Sequence, residues 1–147
     1  PFYDSSSYYN NLNRKKVQKG KEHILFVDDE EEITFMGKRM LESLGYSVSV
    51  HTKSLTALEE FTSNPGLYDL LVTDQTMPYL LGTELIRKVR ELKPGIKAII
   101  ITGYADSISE EMKIMEKIDA VVIKPLILSN FSNLIRKVLD EKNNRKS

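Results

Sequence analysis

The chain has 147 residues, 41% of them apolar, which suffices for one domain with a buried core plus a short extension. Its 21 Lys and Arg residues balance 21 Asp and Glu, so no overall field draws it to nucleic acid or to an anionic membrane. The absence of cysteine excludes a disulfide framework, thiolate catalysis and cysteine-ligated zinc, and His23 and His51 are too few for a histidine-rich metal site. No apolar stretch approaches the roughly 20 residues that span a bilayer, and no signal-peptide pattern opens the chain, so a soluble segment is expected. The start at Pro1 instead of methionine suggests a fragment or processed piece of a parent protein whose other domains, membrane spans included, lie out of sight.

Residues 1–20 hold Ser5-Ser6-Ser7, Tyr3, Tyr8, Tyr9 and the basic cluster Arg14-Lys15-Lys16 without either apolar period. They read as a linker or disordered tail, with packing of the tyrosines on the domain or a partner as the alternative. The folded domain is expected over 21–147. It opens with the apolar run His23–Val27, which ends in Asp28-Asp29. Ile33, Met36, Met40, Leu41 and Leu44 then recur at helical spacing, with Gly45 as the stop. Tyr46, Val48 and Val50 alternate with Ser47 and Ser49, the pattern of a half-exposed edge strand.

Leu55, Leu58 and Phe61 mark a second helix, ended by Asn64-Pro65-Gly66. A third strand, Leu70–Thr73, ends at Asp74, and its loop carries Met77-Pro78. Leu85, Ile86, Val89 and Leu92 give a third helix, closed by Pro94-Gly95. The run Ala98–Ile101 ends at Thr102, and Ser107-x-x-Glu110 reads as a capping box opening a helix with Ile108, Met112 and Met115 inward. The fifth run, Ala120–Ile123, ends at Lys124-Pro125, and Phe131, Leu134, Ile135, Val138 and Leu139 form the last helix.

Five strands separated by five helices imply an α/β fold: a flavodoxin-like, doubly wound, five-stranded parallel sheet with right-handed crossovers. The near-continuous apolar first, third and fourth runs belong in the centre and the alternating second at an edge. The order 2-1-3-4-5 meets these constraints, with ligands expected at the switch beyond the carboxyl ends of strands one and three. Asp28, Asp29 and Asp74 would line that crevice.

Clustered carboxylates repel: two unit charges about 4 Å apart cost on the order of 4 kcal/mol at an effective dielectric near 20. A hard cation relieves this, and Mg²⁺ suits one or two carboxylates, several waters and phosphate oxygens. Lys124 would add a further positive charge. Asp74, alone at its strand end, could attack a phosphoryl donor to give an aspartyl-phosphate, and Thr102 could then bond a phosphate oxygen and draw its loop inward. Taken singly, each residue also has an ordinary reading: acids at a helix N-terminus, a strand-end turn residue, a β-branched strand residue, a solvated lysine. Their joint placement at four strand ends favours a site.

Val27-Asp28-Asp29-Glu30, Thr73–Pro78, Gly82, Ile101-Thr102-Gly103 and Lys124-Pro125 together resemble the receiver domains of two-component response regulators over residues 21–142, most closely the C-terminal receivers of hybrid sensor histidine kinases. The resemblance implies that Asp74 accepts phosphate from a phosphohistidine, and that Asp29, Asp74 and the backbone carbonyl of Thr76 bind Mg²⁺, with Asp28 acting mainly through a metal-bound water. It implies that Lys124 contacts the phosphoryl group, that Thr102 is the switch hydroxyl, and that Lys124-Pro125 is cis.

The resemblance further implies a histidine kinase or histidine phosphotransfer domain as partner, no direct contact with nucleic acid, a monomer or weak dimer, and a cytoplasmic location, with the parent protein open to a membrane anchor. The isolated domain would be no enzyme beyond its own aspartyl phosphorylation and dephosphorylation. One departure stands out. Where many receivers carry an aromatic three residues before the lysine, this chain has Val121. Tyr104, two residues beyond Thr102, is expected to slow hydrolysis of the phosphoryl group. The competing readings are a flavin binder, disfavoured because Asp-Asp-Glu stands where a phosphate loop would be, and a receiver-like interaction module that is never phosphorylated.

Overall fold

A computed structural model describes residues 17–104 and 108–141. Five parallel strands, β1 (His23–Val27), β2 (Ser47–His51), β3 (Leu70–Asp74), β4 (Lys97–Thr102) and β5 (Ala120–Ile123), form one sheet in the order β2-β1-β3-β4-β5. Five helices connect or follow them: α1 (Glu31–Ser43), α2 (Ser54–Ser63), α3 (Gly82–Leu92), α4 (Glu110–Met115) and α5 (Leu128–Asp140), with a short 3-10 turn at Pro65–Leu67. The register pairs Val27 with Thr73, Asp74 with Ile101 and Thr102 with Ile123, so the ends of β1, β3, β4 and β5 lie side by side.

Alternation along the strands divides the core into two layers. Leu25, Val27, Leu71, Ala98 and Ile100 face Ala57 and Phe61 of α2 and Leu85, Ile86 and Val89 of α3. Ile24, Phe26, Leu70, Val72, Ile99 and Ile101 face Leu41 of α1 and Phe131, Ile135 and Val138 of α5. β3 and β4 are buried throughout, as strands covered on both faces must be. Gly45, at φ 101°, ends α1 in a backbone conformation that glycine adopts without strain.

Three apolar residues expected inside are outside. Leu55 is 50% exposed because the inward stripe of α2 runs through Ser54, Ala57, Leu58 and Phe61, one position off Leu55. Leu92, 48% exposed, lies past the last buried turn of α3. Met115 is 76% exposed: α4 is only six residues long, and Ile108 before it and Ile118 after it supply the apolar contacts around Met112. Ser107 lies outside the described residues; the oxygen that caps α4 is Ser109 Oγ, which accepts from Met112 N at 3.1 Å.

Residues 17–20, the described part of the N-terminal segment, make contacts with the domain. Val17 packs against the α1/α5 layer, Gln18 Nε2 donates to Asn133 Oδ1 at 3.2 Å, and Gly20 N donates to Leu44 O at 3.0 Å. Residues 17–20 therefore belong to the packed unit, because an apolar contact and backbone pairing tie them down, while Tyr3, Tyr8 and Tyr9 lie outside the described residues. The same corner holds Arg136, whose guanidinium grips both oxygens of Glu22 (3.0 and 2.6 Å) and both of Asp140, and reaches the Tyr46 hydroxyl at 3.3 Å.

That grip holds the Glu22 carboxyl down at about 2, so the pairing contributes stability above the ordinary value of 4.5 and loses it as pH falls through 2. Replacing Arg136 with Met is expected to lower stability by about 1–3 kcal/mol at neutral pH, with the deficit shrinking as the solution is acidified from 4.5 toward 2. Urea unfolding of both proteins across that pH range checks both statements.

Candidate functional site

The carboxyl ends of β1, β3, β4 and β5 enclose one cleft of about 420 Å³, lined by Asp29, Glu30, Asp74, Thr76, Thr102, Gly103, Tyr104 and Lys124. Asp28 forms its floor, fully buried where β1 gives way to the turn before α1. Asp28 Oδ1 accepts from Glu30 N at 2.9 Å. Its Oδ2 makes no geometrically formed hydrogen bond and lies 3.0 Å from Lys124 Nζ as an ion pair. Lys124 Nζ is also 3.4 Å from Asp74 Oδ1 and 3.5 Å from Glu30 Oε1. One ammonium thus faces three carboxylates.

These neighbours set the charges. Burial pushes the Asp74 carboxyl up to about 6, helped by the charge of Asp28 and opposed by Lys124. Burial likewise raises Asp28, against the hydrogen bond from Glu30 N and the positive charge of Lys124. For Lys124, burial disfavours the ammonium, but Asp28, Asp74 and Glu30 outweigh it and raise its pKa. A single positive charge leaves the cluster short of neutrality.

Asp28, Asp29 and Asp74 each present an oxygen within 4.8 Å of the others. Hard oxygen donors at this spacing, with the buried Asp28 Oδ2 lacking a formed hydrogen bond, fit Mg²⁺ better than a softer metal. The Thr76 carbonyl stands on the β3–α3 loop that borders the same cleft.

Thr102, 3% exposed, accepts from Tyr104 N at 3.2 Å and donates to Tyr104 O at 3.3 Å, so its hydroxyl is tied to its own loop. Tyr104 is 79% exposed at the rim. The Lys124-Pro125 peptide is cis, as the resemblance implied. Val121 lies apart from the cleft, three residues back along β5, in contact with the apolar layer under α2 and α3.

Sequence reasoning missed two supports. Gln75, buried at 4% exposure, accepts from Thr83 N through Oε1 at 3.0 Å and from Gly82 N through its carbonyl at 2.8 Å, folding the loop after Asp74 back onto the start of α3. Gly82 is required there: a Cβ would meet the Asp74 carbonyl oxygen at 2.4 Å. Ser54 Oγ, at the start of α2, donates to Pro78 O at 3.0 Å and pins the far end of the loop. A third miss is Glu30, whose contact with Lys124 has no signature in local spacing.

A parallel sheet in this order, with a buried acidic cluster and a lysine at its carboxyl end, defines a doubly wound α/β domain with its site at the switch between β1 and β3. The sequence matches the response regulator receiver domain over residues 24–137, and the chain belongs to that family. It is 31% identical over 116 residues to the response regulator receiver protein CpdR of Brucella abortus, covering 79% of this chain and 95% of CpdR. It is 32% identical over 133 residues to the sensor kinase CckA of the same organism, covering 86% of this chain but 14% of CckA.

The sensor protein EvgS of Escherichia coli K12 is 34% identical over 105 residues, which are 71% of this chain and 9% of EvgS. The chain therefore spans a small part of the sensor kinases it resembles and nearly all of CpdR. Among solved structures, the response regulator protein TrrA from Thermotoga maritima in complex with Mg(2+)-BeF is 30% identical, with TM-score 0.71, covering 80% of this chain and 98% of that one. A receiver domain protein from Clostridium thermocellum reaches TM-score 0.75 at 29% identity, covering 81% and 94%.

The raised carboxyl of Asp74 carries a stability consequence. An acid whose folded pKa lies above its ordinary 3.8 favours the protonated folded form, so ionised Asp74 opposes folding above about pH 6 and the opposition fades as pH falls from 6 toward 3.8. In metal-free buffer Asp74→Asn is expected to be more stable than the parent by about 1–3 kcal/mol at neutral pH, with the gain shrinking through that window. Urea unfolding in a chelator measures it.

Proposed function

We propose that this chain is the phosphoacceptor of a two-component phosphorelay, taking a phosphoryl group from the phosphohistidine of a histidine kinase or phosphotransfer domain onto Asp74. The observation that carries this reading is the Lys124 ammonium set between the buried Asp28 and the strand-end Asp74. Asp28, Asp29, Asp74 and the Thr76 carbonyl would hold Mg²⁺, which when bound supplies positive charge to the oxygens in transfer.

An Asp74 carboxylate oxygen forms the new bond to phosphorus while the bond from phosphorus to the donor imidazole breaks and the imidazole leaves. Lys124 faces the phosphoryl oxygens with its ammonium, the preorganised charge on which such transfers depend. The product adds about two negative charges at neutral pH. Thr102 then exchanges its bond to Tyr104 O for a phosphoryl oxygen, and this draws the β4–α4 loop inward and reports the state to a partner. Val121, smaller than an aromatic, leaves that report to the loop alone.

The small share of CckA and EvgS that this chain spans supports a place at one end of a hybrid sensor kinase, and the coverage of CpdR supports a free-standing regulator. No helix among the described residues is long and apolar enough to cross a membrane. The near-neutral charge of the chain supports a protein partner over nucleic acid, and the site's chemistry supports a cytoplasmic location, where phosphohistidine donors act. As an isolated domain it catalyses nothing beyond its own phosphorylation and dephosphorylation.

Incubation with acetyl phosphate and Mg²⁺ is expected to add the mass of one phosphoryl group, and Asp74→Asn to abolish the gain. A mutant that still gains the group would overturn the assignment of Asp74, and a parent that gains nothing would favour an interaction module. Tyr104, exposed at the rim, limits water access to the product. Tyr104→Ala is expected to shorten the phosphoryl lifetime severalfold, followed by the decay of the added mass after donor removal.

A further inference from the structure

Two carboxylates in this cleft, Asp28 and Asp74, face Lys124 and also belong to the candidate cation site. Asp28 Oδ2 and Asp74 Oδ1 lie 3.0 and 3.4 Å from Lys124 Nζ, and both residues also belong to the triad whose oxygens gather within 4.8 Å. A divalent cation there shares the charge of Asp28 and Asp74 with the ammonium and so competes with it for them. The lysine side chain, 16% exposed, is not free to retreat into water. Of its three carboxylate contacts, the one at 3.5 Å, to Glu30 Oε1, lies outside the metal triad.

Glu30 is built to keep that contact. Its backbone is fixed at both polar atoms: N donates to Asp28 Oδ1 at 2.9 Å, and O accepts from Ile33 N and Thr34 N at the start of α1. Its side chain, 64% exposed, retains the freedom to follow the ammonium. Resting on the phosphoacceptor reading above, we propose that Glu30 is a positioning residue that holds Lys124 when a divalent cation takes the Asp28 and Asp74 oxygens, and so raises the cation affinity of the site. Without Glu30 the ammonium falls back on Asp28 and Asp74 and competes more strongly for them.

An exposed ion pair of this kind corresponds to about a two- to fivefold effect on an equilibrium. Calorimetric titration of Mg²⁺ into the full chain tests it as a double-mutant cycle with Glu30→Gln and Lys124→Met. Glu30→Gln is expected to weaken Mg²⁺ binding about two- to fivefold with Lys124 present, and to have little effect in the Lys124→Met background. Equal losses in both backgrounds would mean that Glu30 acts on the metal through space, and would overturn the proposal. No loss in either would do the same.

If Lys124→Met fails to fold, Lys124→Gln completes the cycle. Independently, the side-chain NMR resonances of Lys124 in the Mg²⁺-saturated protein are expected to shift on Glu30→Gln, and unmoved resonances would overturn the proposal. Mg²⁺ binding by the parent separates the two readings: none at all sinks the phosphoacceptor reading and this inference with it, whereas binding with additive mutational effects sinks this inference alone.

Discussion

The contact between the Lys124 ammonium and the buried carboxylate of Asp28 is the constraint around which the carboxyl end of the sheet is arranged. Asp28 has no exposed surface, and its Oδ2 faces Lys124 Nζ at 3.0 Å. An isolated ionised carboxylate in such a place is costly, and removing one partner of a buried pair leaves the other charge uncompensated. The lysine must therefore reach across from β5, over the end of β3, to a residue at the end of β1. It does so only because β1, β3, β4 and β5 end level with one another, a consequence of the parallel register.

The cluster is not made comfortable by this contact. Asp74 and Asp28 both have raised pKa values, with burial the largest cause for each, so the site opposes folding in proportion to the charge it concentrates. The rest of the domain offsets that cost through two apolar layers, one on each face of the sheet. The loop after Asp74 is shaped by composition: Gly82 lets its backbone approach the Asp74 carbonyl, and the buried Gln75 accepts from the first two amides of α3, Gly82 N through its carbonyl and Thr83 N through its side chain. The strand-end carboxylate of Asp74 is thus held in place by residues of its own loop and of α3.

Much of this was legible from the residues. Apolar runs that alternate with helical spacing define strands and helices, and charged or hydroxylated residues at the ends of four such runs define a crevice once the strand order is fixed. Asp28, Asp74, Thr102 and Lys124 all lie where that reading puts them. What local pattern does not carry is contact between residues distant in sequence. Glu30 and Lys124 are 94 positions apart, and Gln18 and Asn133 are 115 apart. Helical faces were misread for a related reason. Leu55, Leu92 and Met115 satisfy a spacing rule, yet the length and roll of each helix against the sheet decide which residue at that spacing is covered.

α4 shows how such distant contacts anchor a helix. Arg90 of α3, 11% exposed, pairs with Asp119 at 3.0 Å and donates to the carbonyls of Ile96, Glu116 and Lys117. Asp119 Oδ2 in turn accepts from Ala98 N at 2.8 Å. The carboxyl end of α4 and the turn into β5 are therefore bound to α3 and β4 by a buried, charge-assisted network of the kind that rigidifies what it joins. α4 is thus anchored at its carboxyl end by the Arg90 contacts and capped at its amino end by Ser109 Oγ. Ile114 and Met115, 75% and 76% exposed, stand on the anchored last turn of that helix, so the same network fixes the direction in which these two apolar side chains face outward.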